Sequence, residues 1–244
     1  GVALLVFGTP VHELPRRLGF GRPAARPLVL ALLAGAAIQL VYPLLWLTAG
    51  RSVELRGGWL WLLLGLLAYH GLAEEIAWRA YAFGRLRPGR SVRRALLLTM
   101  PLVAATHVPI VVSAGPVVGL GAITVAAVTT VPFVRLYEAG RGTIWAPALL
   151  HSAIDSFKLV SVPEDLAPTF SLLLVALSLT VPLTVLPALR SRSPHGSRRE
   201  RLCATSRNVV RSAPLGIPPC STSRTPWSDE APSSRSSTAF SSRR

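Results

Sequence analysis

Charge is scarce in this sequence. Only 15% of its 244 residues are Asp, Glu, Lys or Arg, where a soluble domain carries about a quarter. Half are hydrophobic and the mean hydropathy is +0.46, which excludes an ordinary soluble fold. Cysteine is almost missing: Cys203 and Cys220 both lie near the C-terminus and form no metal-ligand spacing and no disulfide framework. There is no H-E-x-x-H helix of the soluble zinc proteases, and no internal repeat. No signal peptide can be recognised, and the chain opens on Gly1 inside an apolar stretch, which reads as a truncated start.

What is abundant is apolar runs of about twenty residues, the length that crosses ~30 Å of hydrocarbon. Full spans are predicted at 27–49, 59–83, 95–112, 117–136, 143–160 and 166–189, with 1–9 as the end of a truncated one. The expected fold is all-α, a polytopic transmembrane helical bundle of six full spans. Residues 1–26 are the helix end and a cytoplasmic loop, 27–189 the transmembrane domain, and 190–244 a disordered, basic Ser/Arg/Pro-rich tail.

The net charge of +15 does not point to nucleic acid. From Arg190 onward there are 11 basic and 3 acidic residues, and most other arginines crowd the loops at 16–26 and 85–94. That is the positive-inside pattern, which makes those loops cytoplasmic and the turns at 113–116 and 164–165 external. A multi-pass protein of the cell membrane is expected, with the bilayer itself as a partner.

Within this apolar background the stretch 67–83, L-A-Y-H-G-L-A-E-E-I-A-W-R-A-Y-A-F, carries His70, Glu74, Glu75 and Arg79. An ionisable group in hydrocarbon is costly unless paired or hydrated, so these residues are functional suspects. Glu75 and Arg79 are four apart and share a helical face, so they can pair. Glu74 points about 100° away, with His70 one turn back on its own face. One glutamate reads as held and the other as free to react.

His107, His151 and Asp155 lie inside other predicted spans. At ~1.5 Å per residue, Glu74 is roughly 16 Å from the basic loop, His107 roughly 20 Å and His151 roughly 15 Å. Three spans therefore carry acid and imidazole groups to a common depth. His151 and Asp155 are four apart and can orient each other or a shared ligand. A carboxylate with imidazoles around a water suits hydrolysis, in which one group takes the proton and others stabilise the oxyanion. The same groups suit zinc, with Glu74, His107 and His151 as the ligand set. A metal-free site and a zinc site both stay open.

E-E-I-A-W-R at 74–79, T-H-V-P at 106–109 and G-T-I-W-A-P-A-L-L-H-S-A-I-D at 142–155 together resemble the three motifs of the CAAX-protease and bacteriocin-processing (CPBP, Abi) family of intramembrane proteases. They come in that family's order over roughly 60–160. Two positions depart from it: Val103 replaces the usual Phe before the histidine, and Asp155 replaces an Asn. The resemblance implies that 27–189 is a CAAX-protease-like domain, an endopeptidase acting on a peptide or protein at the membrane. It implies that Glu74 and His107 activate water, that His151 and Asp155 position substrate or stabilise the oxyanion, and that Glu75 and Arg79 hold the helix. His70 would be structural or support Glu74.

Two other classes compete. An ion-coupled transporter also uses carboxylates and histidines at the midplane, but it predicts repeated, Gly/Pro-broken halves. An inactive scaffold or immunity protein of the same fold predicts the loss of a motif residue, and every ionisable position is present.

Overall fold

The computed structural model describes residues 10–190, and over them the chain is mostly helical. The predicted helix end at 1–9 and the tail after Arg190, with both cysteines, lie outside the described residues.

After two short helical turns at Val11–Glu13 and Leu14–Arg17, α1 (Ala25–Ile38) and α2 (Val41–Ala49) form one apolar rod with a break at Gln39–Leu40. Pro43 explains the break. It has no N–H to give the Gln39 carbonyl, which accepts from Tyr42 N instead at 3.2 Å. The rod stops at Gly50, whose φ of 66° is the left-handed turn that favours glycine. Strand β1 (Glu54–Leu55) follows, and then α3 (Trp59–Leu86), a 28-residue rod. Ser91 caps α4 (Val92–Ala105) by accepting from Arg94 N at 3.3 Å. Pro109, near the start of α5 (Val108–Ala114), separates those two helices at His107. The rest is α6 (Pro116–Ala139), α7 (Trp145–Asp155), a tight 3-10 turn at Ser156–Leu159, β2 (Val160–Ser161) and α8 (Ala167–Arg190).

Contacts sort the loops into two ends. At one end Ile144 N donates to Gly19 O at 3.0 Å, Trp145 Nε1 to Gly21 O at 2.9 Å and Arg87 Nε to Glu138 Oε1 at 2.5 Å, while Arg26 reaches Ala188 O. At the other end β1 pairs antiparallel with β2, Glu54 opposite Ser161 and Leu55 opposite Val160, and Arg51 bonds Asp165. The first end holds the basic loops around 16–26 and 85–94.

Helix α7 is the centre of the bundle. Its Leu150 and Ile154 pack with Ala34 and Ile38 of α1, Phe133 of α6 and Val185 of α8 in one buried cluster. The outer surface is apolar instead: Val112 is 87% and Trp61 79% exposed, as a lipid-facing surface requires.

Among the described residues five helices are long and apolar enough to cross a membrane, where hydropathy predicts six. The difference lies at 143–160. Only 11 of these residues are α-helix, about 16 Å of rise, and after Asp155 the chain tightens and turns into β2. The segment still joins the two ends of the bundle, from Gly21 to β1. Its apolar character serves protein packing, so it is not bound to the length that lipid imposes.

Candidate active site

The site forms where α3 crosses α7. Two stretches of α3, Leu67–Ala73 and Ile76–Phe83, are wound as π-helix, a rare geometry that recurs at functional positions. The crossing is close because residue 71 is glycine: a Cβ there would lie 2.5 Å from Ser152 Oγ and 3.6 Å from Ala148 O.

Glu75 points inward and is 0% exposed. Its Oε1 accepts from Arg79 Nη1 at 2.9 Å and from His151 Nδ1 at 2.7 Å. The pairing of Glu75 with Arg79 is as the spacing predicts, and both are buried. Arg79 also lies over the Phe133 ring, 4.7 Å from its centroid, and that ring is 5.3 Å from the His151 ring. Arginine, glutamate, imidazole and phenyl thus make one buried block.

Glu74 is 23% exposed and faces a different set. Its Oε1 accepts from His70 Nδ1 at 2.7 Å, and its Oε2 lies 3.7 Å from His151 Nε2. His151 therefore stands between the two glutamates, one on each ring nitrogen. A strict α-helical reading of adjacent positions about 100° apart assigns it to neither.

Asp155 Oδ2 is 3.0 Å from His70 Nδ1 and accepts from Lys158 Nζ at 2.7 Å. Its distance to His151 Nε2 is 4.0 Å, beyond hydrogen bonding. The four-residue spacing predicts that Asp155 and His151 orient each other or a shared ligand; they do not hydrogen-bond each other, Glu75 bonding His151 and Asp155 bonding Lys158 beside His70. Lys158 Nζ also donates to His70 Nε2 at 3.0 Å. His70 is thereby the hub of the outer half of the site.

His107 occupies the break between α4 and α5. Its Nδ1 donates to Val103 O at 2.9 Å, which leaves Nε2 as the lone-pair nitrogen of a neutral ring. Among the described residues no hydrogen bond or ion pair joins His107 to Glu74, His70, His151 or Asp155.

Among the described residues, His70, His151 and Asp155 have ligand atoms within 4.8 Å of one another, a different set from Glu74, His107 and His151. Two imidazoles and one carboxylate are the fewest protein ligands that a zinc centre uses. Here Lys158 already bonds two of the three, and a dication beside its ammonium would be repelled. With Lys158 in place the donor set does not fit a metal.

Residues 56–157 match a family described as Rce1-like, type II CAAX prenyl endopeptidase. Over this stretch, less than half of the chain, the sequence is similar to the CAAX-protease family. Nothing among the curated proteins or the solved structures matches the chain. The matched stretch holds His70, both glutamates, Arg79, His107, His151 and Asp155, on α3, α4 to α5, and α7. Its apolar helices make the protein membrane-embedded.

Lys158 is the first residue beyond that stretch and the residue that sequence reasoning missed. The signal for it was present: it is the only lysine of the chain, three positions after Asp155 in an apolar segment.

Proposed function

We propose that the protein is an intramembrane endopeptidase of the cell membrane that hydrolyses a peptide bond with water activated by Glu74. The observation that carries this reading is the division of labour between adjacent glutamates. Glu75 is fully buried and bonded by Arg79 and His151, while the partly exposed Glu74 accepts a hydrogen bond from His70 and lies 3.7 Å from His151 Nε2.

In this mechanism Glu74 takes a proton from water as the oxygen attacks the substrate carbonyl, and later returns it to the leaving amine. His107 offers a lone-pair Nε2 to hold the same water. His151 is fixed through Nδ1 on Glu75, and its Nε2 faces the reacting centre. Carrying a proton there, it donates to the oxyanion. Asp155 keeps His70 and Lys158 in place rather than touching His151. No step in this mechanism uses a metal, and the basic end is cytoplasmic by the positive-inside rule.

The test uses the full chain in nanodiscs with fluorogenic peptides ending in a prenylated or unmodified Cys-aliphatic-aliphatic-X sequence. The wild type is expected to cleave at least one, and Glu74→Gln to lose the rate by orders of magnitude with its melting temperature kept. Equal rates for the two proteins would refute the assignment.

A further inference from the structure

The chain has 26 basic residues, and Lys158 alone is not arginine. Its position is well fixed. It lies in the turn Ser156–Leu159 directly after α7, and the backbone beyond it is pinned by two hydrogen bonds and a strand pairing at the end of the bundle. Arg56 N donates to Leu159 O at 2.9 Å, Arg56 Nε donates to Val160 O at 2.8 Å, and β2 pairs with β1.

An ammonium group has donors and no acceptor. The 3.0 Å contact from Lys158 Nζ to His70 Nε2 therefore makes Nε2 the lone-pair nitrogen and puts the ring proton on Nδ1. That proton is donated to Glu74 Oε1, 2.7 Å away. The same Nζ bonds Asp155 Oδ2 at 2.7 Å, and Asp155 lies 3.0 Å from His70 Nδ1. Two carboxylates thus crowd one imidazole nitrogen, and the ammonium supplies the charge that offsets their repulsion. The geometry also accounts for lysine in an arginine-rich chain. A compact ammonium can bond two acceptors that converge on one point, whereas the planar guanidinium fork is built for parallel bonds.

We propose that Lys158 is a positioning residue of the hydrolytic site: it fixes His70 in the Nδ1–H form, and His70 in that form holds the Glu74 carboxylate at the water. The inference deepens the endopeptidase reading and rests on it for its effect on rate. The effect on the His70 tautomer is independent of any activity.

Two measurements on the full chain in nanodiscs separate these. The first is cleavage by Lys158→Met, which keeps length and removes the charge, and by Lys158→Arg. Lys158→Met is expected to lower kcat about 10–100-fold, the usual effect of losing a group that orients a site residue. KM should stay within about twofold, since Lys158 does not act on substrate directly. Lys158→Arg is expected to restore part of that loss. The second is the imidazole 15N spectrum of the histidine-labelled protein, with His70 assigned by His70→Gln. In wild type His70 is expected to show a protonated Nδ1 and a lone-pair Nε2, and in Lys158→Met an average of both tautomers. Wild-type kcat in Lys158→Met overturns the proposal, and so does an Nε2–H His70 in the wild type, which does not depend on Lys158→Met folding. If the wild type cleaves no peptide, the endopeptidase reading falls, and the spectrum alone decides whether Lys158 sets His70.

Discussion

His151 Nδ1 lies 2.7 Å from Glu75 Oε1, and this bond ties the histidine of α7 to the buried ion pair of α3. Glu75 therefore has two duties. It neutralises Arg79 inside the bundle, and it aims the imidazole whose other nitrogen faces Glu74.

Those duties separate by mutation. Glu75→Ala leaves Arg79 buried without its partner, and the expected loss is about 3–5 kcal/mol of stability. Glu75→Gln combined with Arg79→Gln removes both charges and is expected to recover part of that stability, but not activity, because His151 loses its carboxylate partner. Thermal unfolding in detergent and peptide cleavage on the same samples check this. Single variants as stable as wild type would contradict the buried pair.

Gly71→Ala places a methyl group 2.5 Å from Ser152 Oγ. The expected cost is about 1–3 kcal/mol, from pushing α3 away from α7. Ser152 Oγ is buried with no partner among the described residues, so Ser152→Ala alone is expected to cost little. The double variant should be more stable than Gly71→Ala. Melting temperatures of the four proteins decide it, and additive losses would place the crowding elsewhere.

His107→Asn keeps a side-chain N–H near the position of Nδ1 and removes Nε2. The hydrogen bond to Val103 O, 2.9 Å in the native chain, is then preserved in kind, so folding should be unaffected. Cleavage is expected to fall at least tenfold if Nε2 holds the water. A kcat equal to that of wild type would remove His107 from the mechanism.

Exhaustive chelation is expected to leave cleavage intact, with less than one metal ion per chain by elemental analysis of the same sample. The expectation follows from Lys158, whose ammonium bonds two of the three groups that would ligate an ion. Loss of activity, restored by one equivalent of zinc, would overturn it.

The helical class and the Glu75–Arg79 pair were legible because both follow from one-dimensional spacing: apolar run length, and a separation of four. What escaped depends on the path between elements. The link from His151 to Glu75 joins residues 76 apart, a separation that no local spacing rule reaches. The depth estimate set His107, His151 and Glu74 at one level but carried no information on which faces meet. The span at 143–160 was read as full length because hydropathy cannot tell a segment packed in protein from one bathed in lipid. Gln39 is a similar case. As the one polar residue of an apolar run it looks like an interruption, yet its amide donates to Ala153 O and Ser156 Oγ at 3.1 and 3.0 Å, at the end of α7.

The shortness of α7 bears on the order of assembly. A helix of 11 residues that carries His151 and Asp155, followed at once by Lys158, is too short and too polar to partition into a bilayer by itself. Its place must be made by α1, α3, α6 and α8, which supply the surface it covers. The segment that completes the site therefore enters only with its neighbours, so that the reactive groups come together last, inside a scaffold already in the membrane. Isolated in a glycosylation-mapping assay, 143–160 is expected to fail to insert, and to insert once the helices on both sides of it are restored.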